Sequence, residues 1–110
     1  MITTGIKRGS AELAILAQLA DEPLHGYELA RRIEVRSGGA LRFTLASLYP
    51  LLYRMENRGW VRGAWQTLPN GRRRRRYEIT SQGRKQLAPM RKQWGVFFRA
   101  LHKLAGVGRA

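Results

Sequence analysis

A mainly helical fold with a small β-hairpin is what this sequence predicts, and three observations predict it. Three stretches in the first sixty residues carry helix-forming residues or apolar residues at helical spacing, and a fourth lies near the C-terminus. Between the third and fourth, two alternating stretches flank an Asn-Gly pair, the pattern of a tight reversal between strands. The chain has 110 residues, 44% of them hydrophobic, which suits one domain around one core.

The first helix is read from Ser10 as N-cap, with Glu12 in its first turn where the helix dipole favours an anion. Residues 11–20 are apolar nearly all round, so this helix should be covered from more than one side. It should stop before Asp21-Glu22-Pro23, because a residue ahead of proline is pushed out of the helical region. Leu24-His25-Gly26 reads as a turn. Tyr27 to Arg36 reads as a second helix with Tyr27, Ala30 and Ile33 along one face and Arg31 and Arg32 pointing elsewhere. Ser37-Gly38-Gly39 breaks it. Thr44 is a good N-cap for a third helix running to about Arg58, with an inward stripe of Leu45, Leu48, Leu52 and Met55, and Gly59 stands where a helix-ending glycine belongs. Pro50 opposes this helix locally, since it removes one backbone donor. Either the helix bends there or the preceding turn is irregular.

Two strands follow, Trp60 to Thr67 and Arg73 to Thr80, joined by Leu68-Pro69-Asn70-Gly71-Arg72. Thr80 or Ser81 then caps a last helix. In it Leu87, Met90, Trp94, Phe97, Leu101 and Leu104 are spaced 3, 4, 3, 4, 3, an a/d seam. Three helices, a hairpin and a further helix make the order of a winged helix-turn-helix with an added C-terminal helix. The division expected is a DNA-binding unit over 1–80 and a dimerisation helix and tail over 81–110.

Charge separates the two halves of the chain. There are 21 Lys+Arg against 7 Asp+Glu, a formal net charge of +14. Residues 1–40 hold five basic and five acidic residues, so the excess lies after them. Most of the basic residues are Arg, whose planar fork suits phosphate and guanine. A polyanion is therefore the expected partner, nucleic acid ahead of a membrane surface. With no cysteine, disulfides, thiol catalysis and zinc ribbons are excluded. His25 and His102 are too few and too far apart for an evident metal site. Neither a signal-like N-terminus nor a membrane-spanning apolar run is apparent, so a cytoplasmic, nucleoid-associated location is expected. No catalytic constellation emerges, and neither an enzyme nor a cofactor is expected.

The third helix should present Ala46, Ser47, Pro50, Tyr53, Arg54 and Asn57 opposite its leucine stripe, with Tyr49 on the flank. Thr44, Ser47, Tyr49, Pro50, Tyr53 and Arg54 are the candidates for DNA contact in the major groove. The run Arg72, Arg73, Arg74, Arg75 and Arg76 follows the Asn-Gly turn, so alternation would coat both faces of a protruding strand. Such a wing would hold the phosphate backbone, with binding that is strong, salt-sensitive and largely independent of sequence.

His25-Gly26-Tyr27-Glu28-Leu29, Ser47-Leu48-Tyr49-Pro50-Leu51-Leu52-Tyr53-Arg54-Met55-Glu56 with Gly59, and Arg75-Arg76-Tyr77-Glu78-Ile79-Thr80 with Gly83 occur in an order and spacing that resembles the PadR family of bacterial transcriptional regulators. The likeness runs from about Ser10 to Leu104. It implies a winged-helix domain with a C-terminal dimerisation helix, in a homodimer that represses transcription from a roughly palindromic operator. Ser47-Leu48-Tyr49-Pro50 matches the family's recognition-helix motif, in which Ser47 and Tyr49 would face DNA, and the strand from Arg72 matches its wing. Ala46 stands where the family commonly has glycine. The single last helix is similar to that of the short members.

The seam of Leu87, Met90, Trp94, Phe97, Leu101 and Leu104 is the expected dimer contact, since an exposed apolar stripe of this size marks an interface. The same helix could instead fold back onto the first helix of its own chain, and both arrangements can hold together. The resemblance also implies a place for a small hydrophobic effector between Trp94 and Phe98, although a/d aromatics are explained equally by interface packing. The alternative function is a non-specific nucleic-acid-binding protein, nucleoid or RNA-binding. A third is a module whose basic hairpin docks onto an acidic protein.

Overall fold

The computed structural model describes residues 3–107, with side chains from Gly9 onward. The elements run α1 (Thr3–Asp21), β1 (Leu24–His25), α2 (Gly26–Arg36), α3 (Leu45–Asn57), β2 (Val61–Thr67), β3 (Arg73–Ile79) and α4 (Ser81–Ala105). Four helices surround a small antiparallel sheet of order β1-β3-β2. The mainly helical fold with its hairpin stands, and the hairpin gains a third strand. Leu24–His25 is that strand rather than a turn, pairing Leu24 with Tyr77 and His25 with Arg76.

α1 lies at the centre, packed against α2, α4 and β3. Ile15, Leu16 and Leu19 are fully buried and Ala11 nearly so, as its all-round apolarity requires. Its start differs from expectation. The helix already runs from Thr3, so Ser10 lies inside it and is not its N-cap. Glu12 is consequently one of the buried residues, and Arg58 reaches it at 2.9 Å. A buried carboxylate without such a partner would be strongly destabilising.

α2 buries Leu29 and Ile33, whereas Tyr27, grouped with Ile33 by spacing, is 64% exposed. α3 begins at the expected cap, where the Ser47 amide donates to Thr44 Oγ1 at 3.1 Å. It runs through Pro50 without interruption and ends at Arg58, after which Gly59 takes φ +78. Pro50 is on the exposed side, where the Ala46 carbonyl it leaves unpaired can meet water. The buried stripe is Leu48, Leu51, Leu52 and Met55, while Leu45 is exposed. Each fully buried leucine contributes about 1.5–3 kcal/mol relative to exposure.

β2 and β3 pair from Val61↔Ile79 out to Thr67↔Arg73. In the reversal the Gly71 amide donates to the Leu68 carbonyl at 2.9 Å, and Gly71 adopts φ +84, which glycine tolerates without steric cost. α4 starts on its cap, the Gly83 amide donating to Thr80 Oγ1 at 3.0 Å. It ends at Gly106 with φ +69. Leu87 joins the domain core, and Met90 packs against it. Trp94 closes over Gly9 of α1, where an added Cβ would stand 3.1 Å from the indole. The first half of the seam thus folds back on its own domain. Beyond it, Val96, Phe98 and Leu104 are exposed, Leu104 at 84%. Among the described residues no helix is long and apolar enough to cross a membrane.

Candidate nucleic-acid interface

The surface bounded by α3 and the β2–β3 wing is shaped first by charge. Each of the seven carboxylates has a basic side chain or His25 beside it: Glu12–Arg58, Asp21–Arg36, Glu22–Arg32, Glu28–His25, Glu34–Arg42, Glu56–Arg75 and Glu78–Arg62. Among the described residues, no carboxylate pairs with Arg54 of α3 or with Arg72, Arg73, Arg74 and Arg76 of the wing. The excess positive charge is therefore carried in part by side chains bordering one surface. Among the described residues none of these arginines is held in an ion pair, although Glu28 lies close enough to Arg74 to feel its charge.

On α3, Ala46, Ser47, Pro50, Tyr53 and Asn57 are exposed, and Tyr53 projects furthest at 66%. Thr44 and Ser47 are tied into the cap, for the Ser47 hydroxyl donates to the Thr44 carbonyl at 3.0 Å. Arg54 is half-buried, and its Nε has no hydrogen-bond partner among the described residues. Tyr49 differs from the rest of the set. Its ring lies over Gly26, the first residue of α2, where a Cβ would come 2.7 Å from the phenol oxygen. It also sits 6.5 Å from the Tyr77 ring. Tyr49 therefore wedges α3 against α2 and β3, with part of its ring left in solvent.

The wing arginines divide by strand face, as alternation requires. Arg75 shares the face of buried Tyr77, binds Glu56 of α3 at 2.7 Å and donates to the Gly63 carbonyl at 3.2 Å. It fastens the wing to α3. Burial pushes the Tyr77 hydroxyl above its ordinary pKa. Arg73 continues that face outward, stacked on Trp65 with its guanidinium 4.8 Å from the ring centroid. Arg74 and Arg76 project from the opposite face and are exposed, as is Arg72 in the reversal.

At the inner end of the sheet, His25 joins α2 to the wing. Its Nε2 meets Gln66 Oε1 at 2.7 Å and its Nδ1 contacts Glu28. The His25 backbone amide donates to Glu28 at 3.1 Å, and chiefly for that reason the Glu28 carboxyl is held below its ordinary pKa. Among the described residues no group of His, Cys, Asp and Glu is arranged to hold a metal ion.

Comparison with known proteins bears directly on this geometry. Residues 15–89 match the model of the transcriptional regulator PadR-like family. The chain belongs to that family. A Mycobacterium tuberculosis protein named "Probable transcriptional regulator" is 41% identical over 76 residues, a span covering 68% of this chain and 40% of that protein. A PadR family transcriptional regulator from Eggerthella lenta superposes with a TM-score of 0.79 at 26% identity, over 97% of this chain and 91% of that one. A transcriptional regulator from Clostridium thermocellum shares the fold with a TM-score of 0.83 at 23% identity, over 92% and 98% of the two chains.

This PadR-like protein is a DNA-binding transcriptional regulator, of a family of regulators rather than enzymes. Its α3 and β2–β3 hairpin are the third helix and the hairpin of a winged-helix fold. Sequence reasoning missed two contributors to this surface. Gly26 was read as part of a turn and of a motif, although its lack of a side chain is what seats Tyr49. Trp65 was read only as a strand residue. Its partners were within reach, because a five-residue loop from Leu68 to Arg72 sets Trp65 opposite Arg75.

Proposed function

We propose that the protein is a homodimeric repressor that occupies a palindromic operator. The α3 helices of two protomers enter successive major grooves, about 34 Å apart. Residues 1–80 are the DNA-binding unit and residues 81–110 the dimerisation helix and tail, acting in the cytoplasm on the nucleoid. The observation that carries this reading is the carboxylate-free outer face of α3 beside a wing with four arginines that have no carboxylate partner among the described residues. Ser47, Pro50, Tyr53 and Arg54 face the base edges. Arg72, Arg74 and Arg76 hold phosphates, Arg73 meets DNA from the Trp65 side of the wing, and Arg75 positions the wing. Thr44 acts through the cap, and Tyr49 through its wedge against Gly26 with its exposed edge toward DNA.

The distal α4 seam of Phe97, Leu101 and Leu104 meets its symmetry mate, while Leu87, Met90 and Trp94 are shared with the protomer's own domain. Trp94, Phe97 and Phe98 form a ring cluster with centroids 5.5 to 6.0 Å apart. A planar hydrophobic effector between Trp94 and Phe98 relieves repression by altering the spacing of the two α3 helices.

Duplexes selected from a random pool, and then a salt titration of binding, test the reading. Arg54→Ala should lose about 1–3 kcal/mol on the selected duplex and little on random DNA. Arg74→Ala should weaken both alike and lower the salt slope by about one. Equal losses on both duplexes in both variants would replace the operator reading with non-specific nucleic-acid binding. Sedimentation of Leu104→Asp and Phe97→Asp should show monomers where the native chain shows dimers. Quenching of Trp94 fluorescence by planar cationic or phenolic compounds, in a Trp60→Phe/Trp65→Phe background, tests the effector. No quenching across a broad panel removes it.

A further inference from the structure

We infer that Arg73, held on the face of Trp65, is a specificity-determining residue that inserts into the minor groove beside the operator half-site and selects narrow, A·T-rich flanks. This rests on the operator reading above and extends it to base pairs that α3 does not touch.

The face of the hairpin turned toward α3 is a ladder of aromatic rings and guanidinium groups. It begins at Tyr77, 6.5 Å from Tyr49 of α3. Arg75 comes next, 5.9 Å from the Tyr77 centroid and 5.5 Å from that of Trp65. Arg73 ends it, 4.8 Å from Trp65. Two guanidinium groups so close to one indole would repel each other if both were free. The Arg75 charge is matched by Glu56 at 2.7 Å, which leaves Arg73 as the cation that Trp65 presents outward.

Trp65 is itself 58% exposed although it is a large aromatic residue on a protruding hairpin. Its place in the ladder gives that exposure a purpose. A guanidinium stacked on a fixed ring loses little further freedom on binding, because its orientation is already set. The ring is fixed in turn by the chain of contacts to α3. Gly63 keeps the ladder closed, since a Cβ there would lie 2.3 Å from Arg75 Nε. Of the wing arginines, only Arg73 combines a set direction with an unmatched charge on the α3 side. Arg74 and Arg76 leave the opposite face, and Arg72 lies in the reversal.

A pre-oriented guanidinium on the wing is suited to a minor groove whose walls are close together. Narrowing raises the negative potential of that groove, and A·T tracts are the sequences that narrow it. The minor groove cannot distinguish A·T from T·A, so the preference should appear as A·T content without a fixed order. Trp65 acts as a positioning residue that does not read bases.

The test is selection of duplexes from a random pool by the full-length native protein, Arg73→Ala, Arg73→Lys, Trp65→Ala, Trp65→Phe and Arg74→Ala, with sequencing of each pool. The native pool should show a half-site motif with A·T-rich flanks. Arg73→Ala and Trp65→Ala should keep the motif and lose the flank enrichment. Arg73→Lys should also lose it, because an ammonium does not stack or fit as the planar group does, and Trp65→Phe should restore most of it. Arg74→Ala should bind more weakly and keep the flanks. Flank enrichment that survives in Arg73→Ala, or a native motif with no flank preference, overturns the inference. A native pool with no half-site motif overturns the operator reading instead. In that event the overall A·T content of the pool, present in the native protein and absent in Arg73→Ala, still decides the role of Arg73.

Discussion

An alanine at position 83 would place its Cβ 2.1 Å from the Trp60 carbonyl oxygen, a backbone atom with no room to retreat. Gly83→Ala should therefore lift the first turn of α4 off the sheet and cost about 1–3 kcal/mol, the usual range for overpacking. A thermal melt compared with the native chain checks it. Gly26→Ala should cost less, because its obstacle is the far end of the Tyr49 side chain, which can swing into solvent. Glu28 gives a prediction in pH. Its folded pKa lies below the ordinary value of a glutamate carboxyl. It therefore favours the folded state above that value, and the contribution is lost as pH falls through the depressed value. Glu28→Gln should lower stability at about pH 7 and flatten the acid limb of the stability profile. The change should be modest, since the carboxylate is 49% exposed. Denaturant titrations at several pH values measure both effects.

Among the elements, α3 and α4 were the most legible because each opens on a threonine cap followed by apolar residues at helical spacing. Thr44→Ala and Thr80→Ala should each cost about 1 kcal/mol. Thr80→Ala should be the more damaging, for its hydroxyl also donates to the Gly59 and Trp60 carbonyls at 2.5 and 3.0 Å. Loss of helical circular dichroism on heating compares the two. The hairpin was legible from Asn70-Gly71 and the alternation on either side. β1 was not, because a strand of two residues has no periodicity, and Leu24–His25 is fixed by the free edge of β3. The start of α1 was misplaced because Ser10 is a good cap wherever a helix could begin, and nothing local forbids the preceding turns. Within the candidate site, alternation separated the wing arginines into two faces, but it could not tell that Arg75 belongs to Glu56. That pairing is a long-range contact between α3 and the sheet. Spacing grouped Tyr27 with Ala30 and Ile33, whereas Leu29 and Ile33 define the packed side of α2.

At the scale of the whole molecule, α4 divides into a half packed on its own domain and a half that is not. In a molecule with extents of 54 × 28 × 26 Å, that second half leaves Val96, Phe98 and Leu104 exposed. Charge distribution has a consequence of a different kind. A protein whose carboxylates are each matched by a cationic or imidazole neighbour, and whose surplus arginines border the surface of α3 and the wing, leaves most of that positive charge open to a polyanion. In a cell crowded with chromosome it would spend little time free in solution and most of it travelling along non-operator DNA by sliding and hopping. The search for the proposed operator would then run largely along the DNA. Its pace would be set by how readily the wing lets go of each phosphate, so Arg74→Ala should shorten residence on random DNA and lengthen each hop in single-molecule tracking.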